Sequence, residues 1–150
     1  MDAAHWFLLI CLALNLYICG VTWLVQAANY PLFALVSEAD FVVYHQTHTR
    51  WIMPVVIIPA FIANGASIVF IFGHPASVPT SAALLNGVLG LSMLVVTVAV
   101  EVPKHLRLDK EGKSQPIIQS LVTNNWLRTI AITAQALLML WMITVAFVPA

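Results

Sequence analysis

Apolar residues in this chain fall into four long blocks, separated by shorter stretches that hold nearly all of the charge. Scanned over a window of about 19 residues, the blocks run from Trp6 to Gln26, Trp51 to Phe72, Ser81 to Val100 and Trp126 to Phe147. Each holds about 20 to 22 residues, and at about 1.5 Å per helical residue that is enough to cross a hydrocarbon core of about 30 Å. No Asp, Glu, Lys or Arg lies near the middle of a block, where it would cost about 2.5 to 3.5 kcal/mol. The pattern predicts an all-α polytopic membrane protein. It would be a single four-helix transmembrane domain over residues 1–150, with connections at 27–50, 73–80 and 101–125.

Composition agrees: 61% of the 150 residues are apolar and 8% are charged, against about a quarter charged in a soluble domain. The expected surroundings are therefore lipid bilayer. With a net charge of zero and no basic cluster interleaved with aromatics, a nucleic-acid partner is not expected. The first block comes after Asp2 rather than a basic region and lacks a small-residue cleavage site, so it is expected to be a retained helix and not a signal peptide. Of the six basic residues, Arg50 lies in the first connection, and Lys104, Arg107, Lys110, Lys113 and Arg128 occupy or flank the third. The second connection has none. The positive-inside rule then puts both long connections in the cytoplasm and both termini outside the cell (inner) membrane. Trp6 and Trp141 fall at one interface, and Trp23, Trp51 and Trp126 at the other. Cys11 and Cys19, about 12 Å apart along one helix, cannot form a disulfide.

In lipid, helices associate through small residues and interhelical hydrogen bonds. The expected close contacts use Ala63, Gly65, Ala66 and Ser67 in the second block and Gly87, Gly90 and Ser92 in the third. Asn15, Asn64, Asn86 and Gln135 place one buried amide in each block, each in need of a partner. Pro54 and Pro59 are expected to kink the second helix, either opening a cavity or bending it around its neighbours. Pro116 opens an apolar stretch expected to be helical and to run into the fourth block.

The most chemically suggestive segment is Ser37 to Arg50. Ser37 with Asp40 resembles a capping box, so a helix is expected to start there and continue into the second block. On it, Phe41, Tyr44, His45 and His48 share one broad face. The topology brings Gln26, Asn29, Glu101, His105, Asn124, Asn125 and Arg128 to the same rim. An H-x-x-H pair with a carboxylate is the ligand inventory of a divalent-metal site, here His45, His48 and Glu101. The same residues suit an organic ligand or proton transfer, and a purely interfacial role is equally open. Under the ligand reading the site comprises Tyr44, His45, His48, Glu101, His105, Trp126 and Arg128, with Tyr44 and Trp126 as apolar walls. No nucleophile elbow, phosphate loop or dinucleotide fingerprint is present, and no midplane ion site suggests a transporter.

Trp23, Gln26, Tyr30-Pro31, Phe41, Tyr44-His45-Gln46-Thr47-His48, Glu101, Pro103, His105 and Asn125-Trp126-Leu127-Arg128-Thr129 together resemble the pattern of a family of small four-helix bacterial membrane proteins. That family is itself distantly similar to the anthrone-oxygenase-like membrane proteins. The resemblance implies oxidation of a flat, apolar polyketide or quinol-like molecule near the interface. The chain departs from the pattern at Gln135, where an Arg is expected, and at Ile132, where an aromatic is. Two functions of different class are open: a rim site for a metal or a quinone-like ligand with redox chemistry, or a non-catalytic accessory subunit of a larger membrane complex. A structural homo-oligomer is a third arrangement.

Overall fold

In the computed structural model, which describes residues 1–147, the chain forms four helices: α1 (Ala3–Phe33), α2 (Glu38–Gly73), α3 (Thr80–Glu111) and α4 (Gln115–Phe147). Each is long and apolar enough to cross a membrane, and no strand occurs among the described residues. The helices outrun the apolar blocks, so the two long connections are mostly helical and only residues 34–37 and 112–114 are not. Ser37 caps α2 as expected, its hydroxyl accepting the Asp40 N–H at 3.2 Å. At the opposite turn Gly112 ends α3 with φ +86°, a left-handed conformation that a side chain would strain. The neighbouring Lys113 ammonium donates to the carbonyls of Ala34 and Val36, so it closes the end of α1 with a cation where the helix dipole favours one.

The core is built in three layers. Leu8, Cys11, Phe70, Val78, Met139 and Met142 pack at the end that carries the N-terminus. Ile18, Ala60, Ala63, Met93 and Ile132 fill the middle. Phe33, Phe41, Leu108, Ile118 and Leu121 form the layer at the other end. All five tryptophans are exposed on the outside of the bundle, as interfacial anchors require.

Buried amides tie the helices together across the middle. Asn15 donates to the Ser67 hydroxyl at 3.2 Å, Gln135 to the Asn86 carbonyl at 3.1 Å and Asn86 to the Ser67 carbonyl at 3.4 Å. Asn64 turns back to Ala60 of its own helix. The close approach of α2 and α3 rests on Gly87 and Gly90: a Cβ at Gly90 would meet the Asn64 carbonyl at 3.2 Å and the Gln135 amide at 3.3 Å. Gly65 differs from the expectation, because nothing lies within 4 Å of a Cβ built on it. Gly90→Ala is therefore expected to destabilise the bundle by about 1 to 3 kcal/mol, and Gly65→Ala to change it by no more than about 0.5 kcal/mol. Unfolding titrations in mild detergent would check both.

Three of the four helices contain a π-helical turn: Val25–Asn29 in α1, Met53–Ile57 in α2 and Thr97–Glu101 in α3. In each the closing bond reaches back five positions, from Tyr30 to Val25, from Ile58 to Met53 and from Val102 to Thr97. The next residue is proline every time: Pro31, Pro59 and Pro103. A proline ring clashes with the carbonyl four residues before it, here that of Ala27, Val55 or Ala99, the middle residue of each turn. Widening the turn relieves the clash. It also frees a carbonyl, and that of Val55 accepts the Tyr17 hydroxyl at 2.7 Å. In α4 the one proline sits in the first turn, where no donor is needed, and this helix has no π turn.

Candidate functional site

The three π turns surround one cavity of about 150 Å³. Val25 comes from the first turn, Met53, Val56 and Ile57 from the second, and Thr97 and Glu101 from the third. Thr22, Tyr30, Thr49, His105, Asp109 and Arg128 complete its polar lining. π turns recur at functional sites because the extra residue re-aims side chains, and here they widen the space between helices. The cavity reading of the α2 prolines is the one that the structure supports.

Besides the Thr22 hydroxyl, two charged groups in this cavity lack the partners that burial demands. Glu101 is 2% exposed and neither carboxylate oxygen is hydrogen-bonded, the nearest cation being the Lys104 ammonium at 3.8 Å. Arg128 is 4% exposed; it donates to the Asn125 side-chain carbonyl at 3.1 Å, but its Nε–H has no acceptor. Asn125 in turn donates to Gln26 at 2.9 Å, and Gln26 to the Val122 carbonyl at 3.2 Å. Arg128 is thus clamped through α4 to the π turn of α1, while the Glu101 carboxylate and the Arg128 Nε–H remain available to a molecule in the cavity.

Beside the cavity runs a chain of four side chains. Asp109 lies 2.6 Å from His45 Nδ1, His45 Nε2 lies 3.0 Å from His105 Nδ1, and His105 Nε2 lies 3.0 Å from the Tyr30 hydroxyl. His45 is completely buried, enclosed by Phe33 edge-on and Phe41 stacked. Glu101, His105 and Asp109 are spaced four residues apart and share one face of α3. Pro103 leaves this face intact, because it occupies the first turn after the π segment.

Of the residues expected at the site, His45, Glu101, His105 and Arg128 are brought to one region. His48 is beside it, its ring centroid 6.0 Å from that of His105 and 4.9 Å from that of Phe33, with Nε2 buried and without a partner. Tyr44 lies with His48, Asn29 and Trp51 along a separate surface depression. Trp126 is half exposed and packs edge-on against Trp23, 5.7 Å between ring centroids. Neither Tyr44 nor Trp126 lines the cavity, whose apolar walls are Val25, Ile52, Val56 and Ile57. His45, His48 and Glu101 are not drawn into a metal-ligand set: both nitrogens of His45 are hydrogen-bonded, and among the described residues no three His, Cys, Asp or Glu side chains are grouped to hold a metal.

Tyr30 and Asp109 are the additions that the structure makes to the site. The spacing of Asp109, four residues after His105 and eight after Glu101, is a signal the sequence carries. The approach of Tyr30 to a histidine 75 residues later has no local signature. The chain matches no protein-family model, no curated protein and no solved structure, so its chemistry rests on this geometry alone.

Proposed function

We propose that the protein is a multi-pass protein of the cell inner membrane, its paired rim facing the cytoplasm, and that its cavity binds the ring of an apolar, quinone-like or phenolic molecule. The observation that carries this reading is the pairing of an apolar cavity with two buried, incompletely satisfied groups of opposite character, Glu101 and Arg128. Buried polar groups need partners. A hydroxyl can donate to the Glu101 carboxylate while its oxygen accepts from Arg128, and a neutral ring suits the remaining walls. A hydrocarbon would leave both groups unsatisfied. The volume supports a single ring, since a cavity of about 150 Å³ admits benzene. Entry from the bilayer is supported by Met53, Val102 and Leu106, which line the cavity and are also exposed on the outside of the bundle.

The test is titration of the detergent-purified protein with decylhydroquinone, with decanol as the chain-only control. Decylhydroquinone is expected to bind specifically and decanol not. Glu101→Gln is expected to weaken the binding about tenfold or more, because a hydrogen bond to a charged group is worth about 1.5 to 3 kcal/mol. Equal binding of the two compounds, or an unchanged affinity in the variant, would overturn the reading.

A further inference from the structure

The geometry points to a proton wire, Tyr30–His105–His45–Asp109, which carries a proton from a hydroxyl beside the buried Tyr30 to the partly exposed Asp109. A neutral imidazole has one donor and one acceptor nitrogen, and a carboxylate only accepts. The three contacts therefore cannot be assigned independently. With Asp109 ionised and His45 neutral, His45 donates from Nδ1 to the carboxylate, so its Nε2 must accept. His105 must then donate from Nδ1, which leaves its Nε2 to accept from the Tyr30 hydroxyl. Every hydrogen bond points from Tyr30 toward Asp109. The 2.6 Å separation at the Asp109 end is short, as charge-assisted bonds are, and with His45 neutral the carboxylate sets the direction of the rest.

The two ends of the wire differ as the function requires. Both line the cavity, but Tyr30 is buried whereas the side chain of Asp109 is 22% exposed. Between them His45 is sealed from water on all sides. The step balances without an oxidant. A hydroxyl of the bound molecule other than the one held by Glu101 passes its proton to the Tyr30 oxygen as the Tyr30 proton moves to His105 Nε2. The His105 Nδ1 proton moves to His45 Nε2, and the His45 Nδ1 proton to an Asp109 oxygen. One ligand O–H bond breaks and one Asp109 O–H bond forms. Negative charge is thereby transferred from Asp109 to an oxygen in the cavity that Arg128 also lines. All the donors and acceptors of the wire are then reversed, and it is set to return the proton. The substrate class narrows to molecules whose reaction needs a hydroxyl to lose and regain a proton away from bulk water, such as a phenol or a quinol.

The origin of the proton rests on the ligand reading, but the wire is tested on the unliganded protein, so the two can fail separately. Nitrogen NMR of histidine-labelled protein reports which ring nitrogen carries the proton. In the unaltered protein His45 and His105 are both expected to be protonated on Nδ1. Asp109→Asn keeps the shape but supplies either a donor or an acceptor, so the Nε2-protonated form is expected to emerge in both rings in equal proportion. The change at His105 is decisive, because its ring nitrogens bond to His45 and Tyr30 and not to Asp109. The same variant removes the terminal base and is expected to slow solvent exchange of the His45 ring proton by about 10²-fold. A His105 tautomer independent of that of His45, or an unchanged exchange rate, would overturn the wire. A variant too unstable to study would be replaced by Tyr30→Phe. That variant leaves both Nδ1 assignments in place, and a His45 proton on Nε2 there would be equally fatal.

Discussion

Replacing Arg128 by Leu is expected to lower the unfolding free energy by about 3 kcal/mol, and adding Glu101→Leu in the same chain to bring it back to within about 1 kcal/mol of the original. The expectation comes from burial. Glu101 and Arg128 are almost inaccessible, and both line the same cavity. Without Arg128, the Glu101 carboxyl keeps only Lys104, at 3.8 Å and engaged with the Ser120 carbonyl, and Asn125 loses the guanidinium that its side-chain oxygen accepts from. A buried charge that loses an opposite charge lining the same cavity is penalised heavily, whereas two apolar side chains of similar size are not. The double variant should also have lost its affinity for decylhydroquinone. Stability near the original combined with an empty cavity would be the mark of a pair kept for binding rather than for folding. Unfolding by denaturant in mild detergent gives the cycle; losses that simply add would show that the two residues do not share an environment.

The four helices are legible in the sequence because each apolar block carries its own length and its own charged boundaries, and membrane insertion depends on little else. The start of α2 is legible for a local reason, since Ser37 and Asp40 satisfy each other within one turn. The site is legible only in part. Periodicity puts His45 and His48 on one face, but burial separates them: His45 faces the core between Phe33 and Phe41, while His48 borders the depression shared with Tyr44. Trp126 is expected as an apolar wall beside Arg128, yet residues two apart on a helix point in different directions, and its ring pairs with Trp23 outside. Asp109 escapes a reading of 101–125 as a charged connection; as helix, the same residues put Glu101, His105 and Asp109 in one row.

The prolines account for the part of the site that periodicity alone does not show, and Pro103→Ala gives the sharpest separation of stability from binding. Pro59 in isolation suggests a kink, but it shares with Pro31 and Pro103 a position just past a π turn, and three such turns at one level make a cavity where a kink in one helix would not. Proline inside a helix costs about 3 kcal/mol relative to alanine, and the π turn is how α3 accommodates part of that cost. With alanine at 103 the clash with the Ala99 carbonyl disappears and the missing N–H returns, so the turn can tighten to ordinary α-helix. Because a π turn holds one residue more than the α turn it replaces, tightening rotates the downstream part of α3 by about 100° around the axis. That swings His105 and Asp109 away from His45 and the cavity. The variant is thus expected to unfold at higher denaturant than the original, while losing decylhydroquinone binding and the matched tautomers of His45 and His105. Such opposition is general where strain is held at a functional site. Affinity and tautomers unchanged in a more stable protein would mean that the packing of α3 against α2 and α4, not Pro103, holds the turn open.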